Sequence, residues 1–167
     1  NWNMTYDGAE RLPGMILWWA STQGPQQIPG EYTVKLNVNG TDYTQPYTVL
    51  ADPRSEATVA DMQAQFDFIS DVNETVDHAH QSIKKIRNIN AQLSAFEKQY
   101  KDNPDTKELR EKSKTLREDL EEIEKALYQT KNRSGQDPLN FPIKLTNWFW
   151  KRLRAFSMAR LRLSRMV

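Results

Sequence analysis

The sequence predicts an α+β fold: a partial immunoglobulin-like antiparallel β-sheet followed by a long antiparallel helical hairpin that builds toward a three-helix bundle. Three observations predict it. Turn dipeptides and alternating apolar and polar residues dominate residues 1–52, whereas apolar residues recur at three- and four-residue steps from Met62 onward. The run Asp52-Pro53-Arg54 marks the change of character. From Trp148 the chain changes again, so the expected units are 1–52, 53–147 and a basic aromatic tail, 148–167.

The strands follow in order. Met15-Ile16-Leu17-Trp18-Trp19-Ala20 predicts a first apolar strand, and Pro29-Gly30 a turn. Between Gly30 and Val38, Tyr32, Val34, Leu36 and Val38 alternate with Thr33, Lys35 and Asn37, placing one face in a core and the other in water. Asn39-Gly40 tolerates positive φ and Tyr43 to Leu50 resumes the strand pattern, so a hairpin is predicted with Pro46 at an edge or bulge. Three or four strands do not close a sandwich. The apolar face of such a half-sheet needs further strands, which are expected upstream of Asn1.

The helices come next. Ser55 or Thr58 supplies N-cap chemistry, with Asp61 three residues beyond Thr58. Met62, Phe66, Ile69, Val72, Val76, Ile83, Ile86, Leu93, Phe96 and Tyr100 form a seam on a helix roughly 60 Å long. The stretch Lys101-Asp102-Asn103-Pro104-Asp105 breaks it, and Leu109, Leu116, Leu120, Ile123 and Leu127 mark a second, antiparallel helix. The first helix outruns the second. Its surplus stripe is expected to pack against the segment after Pro138 or against further helix.

Composition narrows the function classes. Among 167 residues 38% are hydrophobic, which favours an elongated or layered molecule over one with a large core. The absence of cysteine excludes disulfides and thiolate metal sites, and no apolar run approaches the roughly 20 residues of a membrane-spanning helix. The formal charge of +1 hides two populations. The tail carries Lys151, Arg152, Arg154, Arg160, Arg162 and Arg165 and no acid, leaving 17 basic against 22 acidic residues elsewhere, a net of −5. That acidic body argues against nucleic acid as a partner. An opening at Asn1-Trp2-Asn3, without methionine, predicts a processed or truncated fragment.

Candidate sites each meet a structural alternative. His78 and His80 point to different faces of one helix, a poor geometry for a shared metal. Asp71, Glu74 and Asp77, interspersed with Lys84, Lys85 and Arg87, read as the solvated face of a long helix, and no catalytic constellation or cofactor motif emerges. Trp18 and Trp19 are candidates for contact with a sugar ligand or a neighbouring domain, although adjacent strand residues face opposite ways. Trp148, Trp150, Lys151, Arg152 and Arg154 lead the tail, whose apolar residues Trp148, Phe149, Trp150, Leu153, Phe156, Leu163 and Val167 line one side of a helix with arginines around the other. Such a pattern predicts contact with an anionic membrane surface.

The strings Arg11-Leu12-Pro13-Gly14-Met15-Ile16-Leu17-Trp18-Trp19-Ala20, Pro29-Gly30-Glu31-Tyr32-Thr33-Val34, Ala51-Asp52-Pro53-Arg54, Met62-Gln63-Ala64-Gln65-Phe66-Asp67-Phe68 and Tyr128 to Leu145 carry a resemblance. Over residues 1 to about 147 the chain resembles the C-terminal region of bacterial, Bacteroidetes-type sortilin or VPS10-like BNR-repeat β-propeller proteins labelled glycosyl hydrolases. The resemblance implies a secreted, periplasmic or envelope-associated parent. It implies an upstream propeller as partner in the same polypeptide, any glycosidase chemistry belonging to that propeller, and a non-catalytic accessory role for this region without cofactor or metal. Helical stripes would serve homo-oligomer or envelope-protein contacts. After Asn147 the chain departs from the family pattern, and a shifted reading frame is expected to explain residues 148–167 ahead of evolved membrane binding. The rival readings are a helical adaptor whose basic end binds anionic membrane and a carbohydrate-binding module.

Overall fold

The computed structural model describes residues 3–17, 21–142 and 144–145. The chain is α+β, as its periodicities predict. Strands β1 (Gly30–Val38) and β2 (Thr41–Val49) precede helices α1 (Val59–Gln99) and α2 (Lys107–Leu127), with short 3-10 turns at Pro104–Thr106 and Asp137–Leu139.

The hairpin forms where alternation predicts it. Asn39 and Gly40 adopt φ of 50° and 84°, the paired left-handed conformation whose twist suits a two-residue connection. Pairing runs without interruption from Gly30↔Val49 to Val38↔Thr41 and includes Thr33↔Pro46. Pro46 therefore sits in a regular ladder. Among the described residues the sheet has two strands, so each is an edge and the N–H that Pro46 lacks is not needed. On one face Glu31 accepts from the Thr48 hydroxyl at 2.8 Å and Lys35 pairs with Asp42 at 2.6 Å. On the other, Tyr32 stacks on Tyr47 with centroids 5.6 Å apart, while Val34, Leu36 and Tyr43 remain 53%, 60% and 59% exposed.

The expected first strand is absent from Met15, Ile16 and Leu17, while Trp18, Trp19 and Ala20 lie outside the described residues. Met15 instead joins Leu12, Ile83 and Tyr128 in a buried cluster, and Leu17 packs against both this cluster and the one formed by Ala9, Val72 and Val76. The surplus stripe of α1 is thus covered by the N-terminal segment, a partner from the opposite end of the chain to the one expected. That segment is braced upstream. Tyr6 N–H donates to the Pro25 carbonyl at 2.9 Å and Gln27 N–H to that of Met4 at 2.8 Å. At Gly24 a Cβ would overlap the Tyr6 and Asp7 carbonyls, so this close approach requires glycine.

Helix α1 begins where its capping chemistry predicts. Thr58 Oγ1 accepts from the Asp61 N–H at 3.2 Å, and the Asp61 carboxylate accepts from the Thr58 N–H at 3.0 Å. Upstream, Arg54 N–H donates to Asp52 Oδ1 and Ser55 N–H to the Asp52 carbonyl, both at 3.0 Å, making the break between units a turn. After Gln99, Asn103 Oδ1 accepts from Asp105 N–H at 3.0 Å, and Pro104 starts the turn that reverses the chain into α2. Contacts of Glu97 with Ser113 and Arg117, and of Arg87 with Glu124, show the two helices to be antiparallel.

Candidate functional site

The residues proposed from the sequence for ligand, interdomain or membrane contact, Trp18 and Trp19, and Trp148, Trp150, Lys151, Arg152 and Arg154, lie outside the described residues, whereas the weighed candidates Asp71, Glu74, Asp77, His78 and His80 lie on α1. The described residues present other features, built from α1 outward.

The first is a grip on Glu10. From three positions on one face of α1, Asp77 Oδ1 accepts the Glu10 N–H at 2.6 Å, His80 Nδ1 lies 2.6 Å from the Glu10 carbonyl oxygen, and Lys84 pairs with the Glu10 carboxylate. A carbonyl only accepts, so His80 carries its proton on Nδ1. The ring is fully buried, and its Nε2 has no hydrogen-bond partner among the described residues. His78 is exposed, 3.8 Å from Glu74, so the two histidines face different ways as their spacing predicts. Asp77 is committed to the Glu10 backbone, and among the described residues no group of three or more His, Asp or Glu could hold a metal ion.

Polar contacts form the joint between the helices. Glu97 accepts from the Ser113 hydroxyl and the Arg117 guanidinium, both at 2.7 Å. The Ser113 hydrogen bond foremost, with Arg117 and Lys114 adding to it, holds the Glu97 carboxyl below its ordinary value against the opposing effect of burial. Arg87 Nε donates to Glu124 at 2.8 Å, and its guanidinium lies 5.5 Å from the Tyr128 ring centroid. Sequence pattern missed this joint, because charged residues on a long helix ordinarily read as solvated.

Turning the charged side of α2 inward turns its leucines outward. Leu109, Leu116 and Ile123 are 56%, 46% and 51% exposed, while Ile89 and Tyr100 of α1 also reach solvent. A shallow cleft of about 510 Å³ lies between the N-terminal segment and α1, lined by Tyr6, Phe66, Asn73, Glu74 and His78 among others. Phe66 meets Tyr6 edge-on at 4.9 Å. The arrangement offers apolar surfaces on a polar-jointed scaffold. Comparison with known proteins finds no matching family model, no matching curated protein and no matching solved structure.

Proposed function

We propose that this chain is a non-catalytic accessory module of a secreted, BNR-type or sortilin-like β-propeller protein, and that it contacts its partner through the apolar face of the β1–β2 hairpin. The observation that carries the reading is that face: Val34, Leu36 and Tyr43 project into solvent from a ribbon whose opposite face is polar and internally paired. A two-stranded ribbon gains little stability alone and ordinarily buries one face on another layer. The resemblance of residues 1 to 147 supplies the identity of that layer's owner.

The nucleotide sequence preceding the Asn1 codon tests the identity: a continuous propeller-coding frame supports it, and a frame coding for any other fold overturns it. The surface is tested by mixing the chain with that propeller made as a separate polypeptide. Sedimentation should show a complex that Leu36→Lys weakens by about tenfold or more, while the same change shifts the stability of the chain itself by less than about 0.5 kcal/mol.

A further inference from the structure

The two edges of the β1–β2 ribbon differ. Across a two-residue connection with both φ positive, here Asn39-Gly40, the flanking pair Val38↔Thr41 exchanges both of its hydrogen bonds. Bonded and non-bonded pairs then alternate along the register, so Asn37↔Asp42, Lys35↔Thr44, Thr33↔Pro46 and Glu31↔Thr48 are non-bonded. The backbone N–H and C=O groups of these residues point out of the ribbon. On the β2 side the row runs Asp42, Thr44, Pro46, Thr48, and Pro46 has no N–H to offer. On the β1 side it runs Glu31, Thr33, Lys35, Asn37, with neither proline nor bulge. Thr33, Lys35 and Asn37 are exposed, and among the described residues no backbone group of another segment pairs with this row. An uninterrupted row of this kind is a template for one more strand.

Which strand it takes is indicated by the side chains along it, because β1 is complementary to itself. Laid antiparallel on a second β1 with Thr33 facing Thr33, it sets Glu31 opposite the other copy's Lys35 and Tyr32 opposite its Val34, each twice. Opposed charges, paired threonines and an aromatic ring beside a β-branched side chain are all favourable cross-strand pairs. Moving the axis to Val34 takes both lysines from their glutamates and brings the two Lys35 side chains to diagonal positions, where like charges repel. Charge therefore selects the register centred on Thr33. In it the polar faces of the two ribbons join, and the face of Tyr32, Val34 and Leu36 continues across the axis.

We propose that β1 pairs edge to edge with β1 of a second copy of this chain, giving a four-stranded antiparallel sheet about a two-fold axis through Thr33. The pairing adds about six backbone hydrogen bonds, two from each facing pair of outward residues between Glu31 and Lys35. It is isologous and closes on itself, since the only edges left are the two β2 strands, each interrupted by Pro46. The apolar face of the ribbon stays open to the partner proposed above. The two readings therefore stand or fall separately.

Sedimentation of the full chain from about 10 μM to about 1 mM, the range in which small interfaces associate, should show monomer passing to dimer. Lys35→Pro and Thr44→Pro lie opposite each other in the ribbon, and each removes one outward N–H, from the β1 and the β2 edge respectively. Lys35→Pro should weaken the dimer about tenfold or more, and Thr44→Pro by less than about twofold. Chains carrying Glu31→Lys or Lys35→Glu place like charges opposite one another and should each stay monomeric, whereas an equimolar mixture of the two restores both pairs and should form a heterodimer. Leu36→Lys, on the apolar face, should leave the dimer intact. A chain monomeric at about 1 mM overturns the proposal, as does a dimer that Thr44→Pro weakens as much as Lys35→Pro. Loss of the dimer in Leu36→Lys also overturns it, assigning self-association to the apolar face. Should Lys35→Pro unfold the ribbon, the mixture still decides, and no heterodimer in it overturns the pairing of β1 with β1.

Discussion

Glu10 shows how three contacts to one residue differ in worth. The Lys84 pair is between half-exposed groups, with side chains 36% and 57% accessible, and pairs of that kind contribute about 0–1 kcal/mol. His80 combines a fully buried ring with a hydrogen bond to a backbone carbonyl, and its truncation leaves both a cavity and an unpaired acceptor. His80→Ala is therefore expected to lower unfolding free energy by about 2–4 kcal/mol, and Lys84→Ala by less than about 1 kcal/mol. Urea denaturation of the two variants checks the order; comparable losses would show that the ion pair, and not the buried ring, holds the N-terminal segment. In the sequence His80 was one of two histidines at the wrong spacing for a metal, and its partner, a carbonyl 70 residues away, has no signature in side-chain pattern.

Between α1 and α2, a carboxylate sits where a leucine seam was expected. Glu97 has its carboxyl held below the ordinary 4.5 of a glutamate by Ser113 and then Arg117. A depressed folded-state value means that the ionised form stabilises the helix pair above the unfolded value, and that this contribution is lost as pH falls through the folded value. Stability of the chain should thus decline on acidification below pH 4.5, and Glu97→Gln should flatten that part of the profile. Thermal unfolding followed by circular dichroism at a series of pH values measures it; an unchanged slope in the variant would remove Glu97 from the joint. The hairpin behaves differently. Its strands, turn and register follow from alternation and from Asn39-Gly40, which are local, whereas the contact face of a helix depends on what its neighbour presents.

The molecule is held in the middle by its N-terminal segment. Leu12 is 2% exposed and packs with Met15, Ile83 and Tyr128, joining the start of the chain, the centre of α1 and the end of α2. Leu12→Ala is expected to cost about 2–5 kcal/mol, more than a leucine on the outer wall of α2 would cost the helix pair alone. Native-state hydrogen exchange should accordingly be slowest at Val72 to Ile86 and faster along β1 and β2. In Leu12→Ala the amides of both Val76 and Leu127 should speed up together. Acceleration at only one would mean that the two helices open independently of the segment between them.

The sequence alone determined the elements: the two-residue turn at Asn39-Gly40, the Thr58 and Asp61 capping box, the long helix from Val59 to Gln99 and the reversal at Asn103-Pro104 all rest on residues within a few positions of one another. Periodicity and capping are local and so can be read locally. Tertiary structure decided which surface covers which. Met15 and Leu17, apolar enough for a strand, pack on α1, because the hydrophobic effect is non-directional and rewards the nearest uncovered apolar stripe. Ser113, Arg117 and Glu124 turn inward because α1 presents Glu97 and Arg87 to them, and buried charges require partners. That pairing rotates Leu109, Leu116 and Ile123 outward, and no window of sequence shorter than the whole helix pair contains the reason.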